Sequence, residues 1–473
     1  MSERIKHWVE KVRKGETENP LLDILPKTIQ KIRERAREMV PEVPPEVREM
    51  QARIAQKFDY TAEMPLNLDV KSFEKFDPEH RFPAYYQNNR VGRFYHMTFD
   101  SHDAEGNTLK VPALLVIPKN IPEGVKNERG EIPAIIYSHG MRDDKDGTYQ
   151  REIDKMTAAK TGTPVEEGIH QRIIEGIVGS GYAFIACDHP YHGELSNRWK
   201  QSSLGNSIGS MKAYMGALGY YEAWKAKKDG REYQYENLFI GRPELANNKK
   251  EGLIVGMVDT IVGVTRKIKS LGDRTVLAKD GIYRAVTSIR RELDLIDVGL
   301  DKASRGGPDV RIDLNRVGLL GISFGGIVGA IASGIDDRIK ARVLINTGGV
   351  PDDRCDEIVE DIEKGVREGK LSRNDANRRI EVLEMINPAN LIGPVAEHNP
   401  IPTLLLISGR DEVFSRRRSM LLADSARGDV RTKTYGNADH RIMPMDDVVR
   451  DVRGFFEEKF RIEKPKRWKR YFR

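Results

Sequence analysis

The amino-acid sequence predicts an α/β protein built around a mostly parallel, doubly wound sheet. Short apolar runs alternate with stretches of helical spacing, which is the pattern of parallel βαβ units. One apolar run, Arg316–Ile322, continues through a serine flanked by glycines into a helix of small residues. Polar residues also follow two later runs, where parallel strands of such a sheet would end at a common edge.

Length and composition set the size and the surface character of the protein. The 473 residues are enough for two or three packing units of ~150 residues each. Charged residues make up 32% of the chain, compared with a typical ~25%, and both signs are mixed along it. This composition predicts a heavily ion-paired surface, which is typical of heat-adapted, thermostable proteins. A net charge of only +6 does not favour nucleic-acid binding.

Cysteine usage and the first residues predict a cytoplasmic protein. Cys187 lies in an apolar run and Cys355 in a charged helical stretch, so the two supply neither a disulfide framework nor a cysteine-based zinc site. Residues 1–8 mix acidic and basic side chains and do not resemble a signal peptide. No apolar run approaches the ~18 residues that span a bilayer.

Residues 1–92 predict a helical N-terminal extension. Helical spacing is present in Ile29–Met39 and again across Pro45–Phe58. After the extension the pattern changes to alternating strands, because Phe94–Phe99 and Lys110–Ile117 flank a short polar turn. These two segments predict a β-hairpin.

The remaining elements follow from buried apolar runs separated by helical ones. A capping box with proline at the first helical position, Thr163–Glu166, opens one predicted helix. Further helices are predicted over Arg274–Ile296 and Met445–Phe460. Besides the run that ends before the serine, the predicted strands are Ile132–Tyr137, Gly181–Cys187, Ile339–Ile345, Pro402–Ile407 and Val430–Tyr435.

Residues 93–460 therefore form the predicted main domain, with two insertions at about 195–271 and 351–399. Connections of this length usually have structure and a role, and we interpret both as helical lid insertions. Residues 461–473 form a basic tail in which aromatic side chains interleave with Lys and Arg. Such a tail can contact phosphates or an anionic membrane, but a solvated or locally docked terminus is the favoured interpretation.

The pentapeptide Gly321–Gly325 predicts a nucleophile. Glycines on both sides of Ser323 allow a sharp turn, which leaves the hydroxyl exposed where a strand meets a helix N-terminus. A strand-to-helix turn without a catalytic role can have the same residue pattern. The apolar strand before Ser323 and the glycines at 325, 326 and 329 nevertheless favour the functional interpretation. Ser323 is therefore the candidate nucleophile.

A serine hydroxyl needs a base to accept its proton and a third group to orient that base. Asp411 follows one strand and His440 follows the last, so the order is Ser, Asp, His. His440 is the only histidine after Asp411. Glu412 would point to the other side of an extended segment, and Asp439 is too close in sequence to reach around the neighbouring ring. The candidate triad is therefore Ser323, Asp411 and His440.

Acyl transfer also needs N–H donors for the oxyanion that develops in the transition state. In this arrangement one donor is the residue after the serine, Phe324, and the other lies after an earlier strand. The segment Tyr137–Met141 suits the second position, because Gly140 allows a close backbone approach and Met141 N–H can point inward. His139 is interpreted as a brace for this loop.

Five motifs follow one another along the chain: His139–Gly140, Asp188–Glu194, Gly321–Gly326, Ser408–Asp411 and Ala438–His440. Taken together, these motifs resemble the α/β-hydrolase superfamily. The resemblance is strongest to carboxylesterases, acetylesterases and dienelactone-hydrolase-like enzymes, which share features with prolyl-oligopeptidase catalytic domains. It covers residues 93–460 without the two insertions. The chain differs in its helical N-terminus, in the long excursion before the nucleophile and in Tyr191–His192, where arginine-glycine pairs are common.

The resemblance implies a serine hydrolase that cleaves carboxylic esters through an acyl-enzyme. It assigns Ser323, Asp411 and His440 as the triad and Met141 and Phe324 as the oxyanion hole, with no metal or organic cofactor. The implied partner is a small-molecule ester. A prolyl-oligopeptidase-like peptidase, an acyltransferase or a C–C hydrolase would use the same triad, and a non-catalytic hydrolase-fold scaffold is a further alternative. The assembly state, including a homo-oligomer, stays open.

One weaker pattern contains metal-binding residue types. Asp188, His189, His192 and Glu194 are suitable ligands. A turn of glycine and proline does not place them on one helix face, however, and the resemblance explains the segment without metal. We therefore predict no metal site there.

Overall fold

In this computed structural model, the described part of the chain is built around a nine-stranded mixed sheet. The strands are β1 (Asp69–Ser72), β2 (Gly92–His102), β3 (Thr108–Pro118), β4 (Ile132–Ser138), β5 (Ala183–Cys187), β6 (Ile312–Ile322), β7 (Ala341–Ile345), β8 (Thr403–Ser408) and β9 (Val430–Tyr435). The structure describes residues 45–58, 64–72, 91–103, 106–140, 169–189, 271–299, 310–349, 352–393, 400–411, 413–440 and 443–461.

Helices cover both faces of this sheet. The helices of the described residues are α1 (Pro45–Gln56), α2 (Ile169–Gly179), α3 (Leu271–Val298), α4 (Phe324–Ile335), α5 (Asp352–Arg367), α6 (Arg373–Ile386), α7 (Arg416–Ala426) and α8 (Met445–Lys459), together with a 3₁₀ turn at Pro388–Asn390. One apolar cluster contains side chains of α3, α4 and α7, and the cluster on the opposite face contains side chains of α2 and α8.

The strand order is β1-β2-β3-β5-β4-β6-β7-β8-β9. Strands β1, β2 and β3 pair antiparallel, and β3 also runs antiparallel to β5. From β5 across to β9 every neighbouring pair is parallel. The sheet is thus mostly parallel, with helices on both faces, which confirms the predicted fold class.

The central strands form because their residues are apolar at nearly every position. All seven residues of β4 are buried, and consecutive side chains point to opposite faces of the sheet. Ile136 therefore joins the cluster under α3 and α4, whereas Ile135 and Tyr137 join the cluster under α2 and α8. Burial on both faces is what a continuous apolar run predicts for a parallel strand.

Strand β4 is also the point where the winding of the chain reverses. The chain passes from β4 to β5 on one side and later returns to β6 on the other side of β4. In doubly wound sheets, ligands bind beyond the carboxyl ends of the strands at such a switch point. The turn after β6 contains Ser323, so the fold places this serine next to the expected binding crevice.

Most predicted elements are present with small shifts of their ends. The β2–β3 hairpin is confirmed over its whole length. Of the six later strands, β9 is confirmed with its predicted ends and the other five with shifts of up to four residues at an end. Strand β1 was not predicted, because its four residues contain a single apolar side chain, Val70. The segments Ile29–Met39 and Thr163–Glu166 lie outside the described residues.

The predicted domain limits stay predictions. Residues 1–44, 190–270 and 462–473 lie outside the described residues, and they include most of the extension, the first insertion and the tail. The second insertion contains α5 and α6, with Ser372 capping α6 by accepting a hydrogen bond from Asp375 N–H. Its role as a lid stays a prediction.

Charged side chains of α3 and of the segment after α4 form a connected network that is mostly buried. Arg338 contacts Asp294 and Asp336 at 2.7 Å each, and Arg291 reaches Asp294 at 2.8 Å. Such networks weaken less than isolated pairs when the temperature rises. Thermostability itself stays a prediction.

Within the described part of the chain, no helix combines the length and the apolar character that a membrane span requires. The predicted cytoplasmic location stays a prediction.

A buried acid on α3 affects the stability of the fold. Glu292 is fully buried, and burial raises the pKa of its carboxyl well above the usual range, while the neighbouring Cys187 thiol acts in the opposite direction. The folded protein therefore keeps this proton at a pH where the unfolded chain, with a pKa of ~4.3, has lost it. This contribution to stability is complete below about pH 4 and falls as the pH rises through the range between the two pKa values.

We expect Glu292→Gln to remove this pH dependence. The free energy of unfolding of the variant, relative to wild type, should rise between about pH 5 and about pH 8, because only the wild type then loses a proton on unfolding. Urea denaturation at the two pH values measures the difference. The exposed Glu123 provides the matched control, since Glu123→Gln should give the same difference at both. A pH-independent effect of Glu292→Gln would contradict the prediction.

Candidate active site

Ser323 lies at a sharp corner between β6 and α4. Its backbone has φ 53° and ψ −116°, a conformation that L-residues rarely adopt and that costs of order 1–3 kcal/mol. The corner is held by the Ser323 N–H, which donates to the carbonyl of Ile345 on β7 at 2.9 Å. The strain is therefore located at the residue that the sequence predicts as the nucleophile.

Glycine is required on both sides of this corner because the backbone segments approach very closely. A Cβ on Gly325 would lie 2.0 Å from the Ser138 carbonyl oxygen, and one on Gly321 would lie 2.6 Å from the Gly325 carbonyl oxygen. By contrast, a Cβ on Gly140 would make ordinary contacts at 3.6 Å. The sequence predicts that position 140 needs glycine for a close backbone approach, but the structure leaves room for a Cβ there.

The three predicted triad residues form one hydrogen-bonded chain. Ser323 Oγ lies 2.9 Å from His440 Nε2. His440 Nδ1 lies 2.9 Å from Asp411 Oδ2 and 3.0 Å from Asp411 Oδ1. Because an ionised carboxylate only accepts, Nδ1 carries the proton and Nε2 is left to accept the serine hydroxyl proton. The predicted side chains therefore meet at one edge of the sheet, in the geometry that nucleophile activation requires.

The carboxylate is enclosed and oriented by its own loop. The Asp411 side chain is 2% exposed and that of His440 is 14% exposed. Asp411 Oδ1 accepts hydrogen bonds from Val413 N–H and Phe414 N–H, both at 2.8 Å. These two donors hold the carboxyl group in place.

The first predicted oxyanion donor lies at the start of α4. Phe324 is the first residue of that helix, so its N–H points toward the N-terminal end. The partial positive charge of a helix N-terminus favours a developing anion at this position. The second predicted donor, Met141, lies outside the described residues.

The loop before Met141 is braced by two buried histidines. His139 Nδ1 donates to the Gly140 carbonyl at 2.9 Å, and its Nε2 accepts from His189 N–H at 3.0 Å. His189 Nε2 lies 2.8 Å from Ser138 Oγ, and the two imidazole rings are 4.2 Å apart. This is the bracing role that the sequence predicts for His139.

Sequence reasoning missed two residues that contact His440, Phe414 and Asn346. The centroid of the Phe414 ring lies 5.8 Å from that of the His440 ring. The Arg418 guanidinium lies over the Phe414 ring, 5.0 Å from its centroid. Asn346 follows β7 and contacts the backbone of His440. The only sequence signal for Asn346 is a polar residue directly after a buried strand, and many strands end in this way.

The metal alternative stays untested, because His192 and Glu194 lie outside the described residues. Among the residues that the structure describes, no group of three or more His, Cys, Asp or Glu side chains could hold a metal ion.

The strand order, the strained serine corner after β6 and the positions of Asp411 after β8 and His440 after β9 define the α/β-hydrolase fold. Strand β1 adds one edge strand to the β2–β3 hairpin. The predicted superfamily fold is thereby confirmed.

Solved structures of esterases are similar to this chain. An acetyl xylan esterase from Paenibacillus sp. R4 is 14% identical, with 88% of this chain and 95% of that chain covered and a TM-score of 0.48. Acetyl xylan esterase 1 from Thermoanaerobacterium sp. JW/SL YS485 is 13% identical, with 88% and 94% covered and a TM-score of 0.44. Est1E from Butyrivibrio proteoclasticus, solved with ferulic acid, is 14% identical, with 74% and 96% covered and a TM-score of 0.39.

No family model matches the chain, and no curated protein matches it. The TM-scores lie below 0.5, so the fold assignment rests on the strand order and on the Ser323 corner.

The close approach at the corner gives a test of stability. We expect Gly325→Ala to lower the free energy of unfolding by about 1–3 kcal/mol or more, because the added Cβ would overlap the carbonyl oxygens of Ser138 and His139. Gly454→Ala is the matched control, since a Cβ there meets nothing within 4 Å. In the interior of α8 the control should stabilise the protein by about 0.4–1 kcal/mol. Urea denaturation measures both effects, and equal changes in the free energy of unfolding would contradict the predicted steric overlap at Gly325.

Proposed function

We propose that this protein is a serine hydrolase that cleaves carboxylic esters of small molecules through an acyl-enzyme. The observation that carries the proposal is the continuous hydrogen-bonded chain from Ser323 Oγ through His440 to Asp411. This chain ends at the strained corner beside the N-terminus of α4, where an anion is favoured. A hydroxyl, a base, an orienting carboxylate and an N–H donor thus lie around one point, as acyl transfer requires.

In the acylation step, Ser323 Oγ attacks the ester carbonyl carbon while its proton passes to His440 Nε2. The imidazolium that forms keeps its Nδ1–H bonded to the Asp411 carboxylate, which stabilises the positive charge. The carbonyl oxygen becomes an oxyanion and accepts a hydrogen bond from Phe324 N–H and, in this proposal, from Met141 N–H. The tetrahedral intermediate then expels the alcohol oxygen, which takes the proton from His440 and leaves the acyl group on Ser323.

In the deacylation step, water replaces the alcohol. His440 Nε2 accepts a proton from the water molecule, whose oxygen attacks the acyl carbon. The second tetrahedral intermediate breaks the bond to Ser323 Oγ, which recovers its proton from His440. The carboxylic acid is released, and the enzyme returns to its starting state. Every step uses side chains and N–H groups of this chain together with water.

The enzyme should therefore hydrolyse activated esters with Ser323 as the essential residue. We expect turnover of nitrophenyl esters, and we expect Ser323→Ala to reduce kcat/KM by roughly 10⁴-fold or more, because no hydroxyl remains to form the acyl-enzyme. Ser425→Ala on α7 is the matched control and should retain full activity. Retained activity in Ser323→Ala would end the assignment.

A substrate panel separates the proposed reaction from the alternatives that share the triad. Short to long acyl esters are compared with aminoacyl amides at equal concentration, and the proposal expects faster turnover of the esters. Faster cleavage of the amides would favour the peptidase alternative. Absence of any turnover in a correctly folded preparation would favour the scaffold.

A further inference from the structure

Asn346 lies between the strands that carry the nucleophile and the carboxylate. It directly follows β7, which pairs with β6 on one side and with β8 on the other. Ser323 follows β6 and Asp411 follows β8, so Asn346 lies between the two at the same edge of the sheet. The Asn346 side chain is almost fully buried, at 2% exposed for the residue.

The amide of Asn346 joins the histidine loop to β8. Its Nδ2 group donates to the His440 carbonyl at 3.1 Å and lies 3.5 Å from the Asp439 carbonyl. Its Oδ1 accepts from Ser408 N–H at 2.9 Å, at the last residue of β8. One side chain therefore fixes the peptide of the base relative to the strand that leads to Asp411.

The backbone of Asn346 supports this arrangement at an energetic cost. Its φ is 46°, in the left-handed region that asparagine and glycine tolerate better than other residues. The Asn346 N–H donates to the Leu406 carbonyl on β8 at 2.9 Å. Both the backbone and the side chain of this residue are thus bound to β8, which leaves the amide little freedom to move.

His440 needs such a contact because it lies well beyond the end of its strand. Strand β9 ends at Tyr435, so the base extends from a turn of several residues. Ala438 fastens the early part of that turn, through its N–H to the Tyr435 carbonyl and its carbonyl to Arg410 N–H. The hydrogen bond from Asn346 acts directly on the His440 peptide. Catalytic groups must be held within roughly 0.5 Å of their productive positions.

We propose that Asn346 is a positioning residue that sets the place of the His440 imidazole relative to Ser323 Oγ, and that its amide N–H₂ group is what does so. This inference rests on the proposed function, because it assigns a partner to the proposed base. It predicts that loss of the amide affects the chemical steps and leaves substrate binding unchanged.

The test compares Asn346→Asp with Asn346→Gly. The aspartate keeps the shape and tolerates the positive φ, but it has no donor for the His440 carbonyl and places a carboxylate oxygen against it. The glycine also tolerates this φ and removes the whole side chain. Both should lower kcat for nitrophenyl acetate by about 10²-fold, with KM changed by less than about threefold, because a displaced base slows proton transfer. The glycine variant keeps the test available if the aspartate variant does not fold.

Asn127→Asp is the matched control at the opposite edge of the sheet. Asn127 Nδ2 donates to Glu131 at 2.7 Å and to Asp313 at 2.9 Å, just before β4 begins. The same substitution there also removes a donor and adds a negative charge, so it should destabilise the fold. It should leave kcat unchanged. A similar loss of kcat in this control would show that general destabilisation explains the effect at Asn346, and the inference would fall.

Combination with His440→Ala distinguishes positioning of the base from a general structural effect. If Asn346 acts through His440, then Asn346→Asp should not reduce the residual rate of the His440→Ala enzyme any further. An additional loss of about 10²-fold in that background would show an effect on Ser323 or on the oxyanion donors and would overturn the inference.

The outcomes also separate this inference from the proposed function. Wild-type turnover that Ser323→Ala abolishes, together with full activity in Asn346→Asp and Asn346→Gly, would overturn only the inference. Turnover that Ser323→Ala does not affect would overturn both.

Discussion

The hydrogen bonds that link Ser323, His440 and Asp411 depend on one geometric constraint: the parallel strands that precede these residues all end at the same edge of the sheet. Strands β6, β8 and β9 lie within four neighbouring positions of the sheet, and one of these three residues follows the carboxyl end of each strand. Parallel pairing gives these ends the same direction, so side chains that are far apart in sequence are brought to the same edge of the sheet.

The corner after β6 shows how the protein maintains an unfavourable local conformation. The φ of Ser323 is costly, but the N–H bond to Ile345 and the close contact of Gly325 with the end of β4 leave little room for relaxation. Strain of this kind persists where the surrounding structure overdetermines it. The result is a hydroxyl that faces the imidazole and lies beside the N-terminus of α4.

Much of the fold was predictable because buried parallel strands have a strong sequence signal. Strands β4, β5, β7 and β8 and the second half of β6 are short, mostly apolar runs. The order of the polar residues after β6, β8 and β9 predicted the candidate triad. Strand β1 gave no such signal, since Asp69–Ser72 is an edge strand formed mainly by backbone pairing with β2. Asn346 could not be singled out either, because its role arises only when β7 lies between β6 and β8 in space. Met141 stays a prediction, as it lies outside the described residues.

Buried polar groups show the same limit of sequence reasoning. Arg342 looks like an ordinary basic residue in an apolar run, yet it is fully buried and burial lowers its pKa to about 9. Its guanidinium donates to Thr403 Oγ1, Ser333 Oγ and the Ile392 carbonyl, which join β7, β8 and α4 to the segment after the 3₁₀ turn. Periodicity predicts which positions are buried, but not which of them hold a polar side chain with a complete set of acceptors.

The most direct test of the central claim is the site of covalent labelling by a fluorophosphonate, identified by peptide mass spectrometry. Attack at phosphorus needs the same activated hydroxyl as attack on an ester carbonyl. The account predicts a single adduct, on the peptide that contains Ser323. An adduct on another residue, or no adduct in a preparation that hydrolyses nitrophenyl acetate, would contradict it.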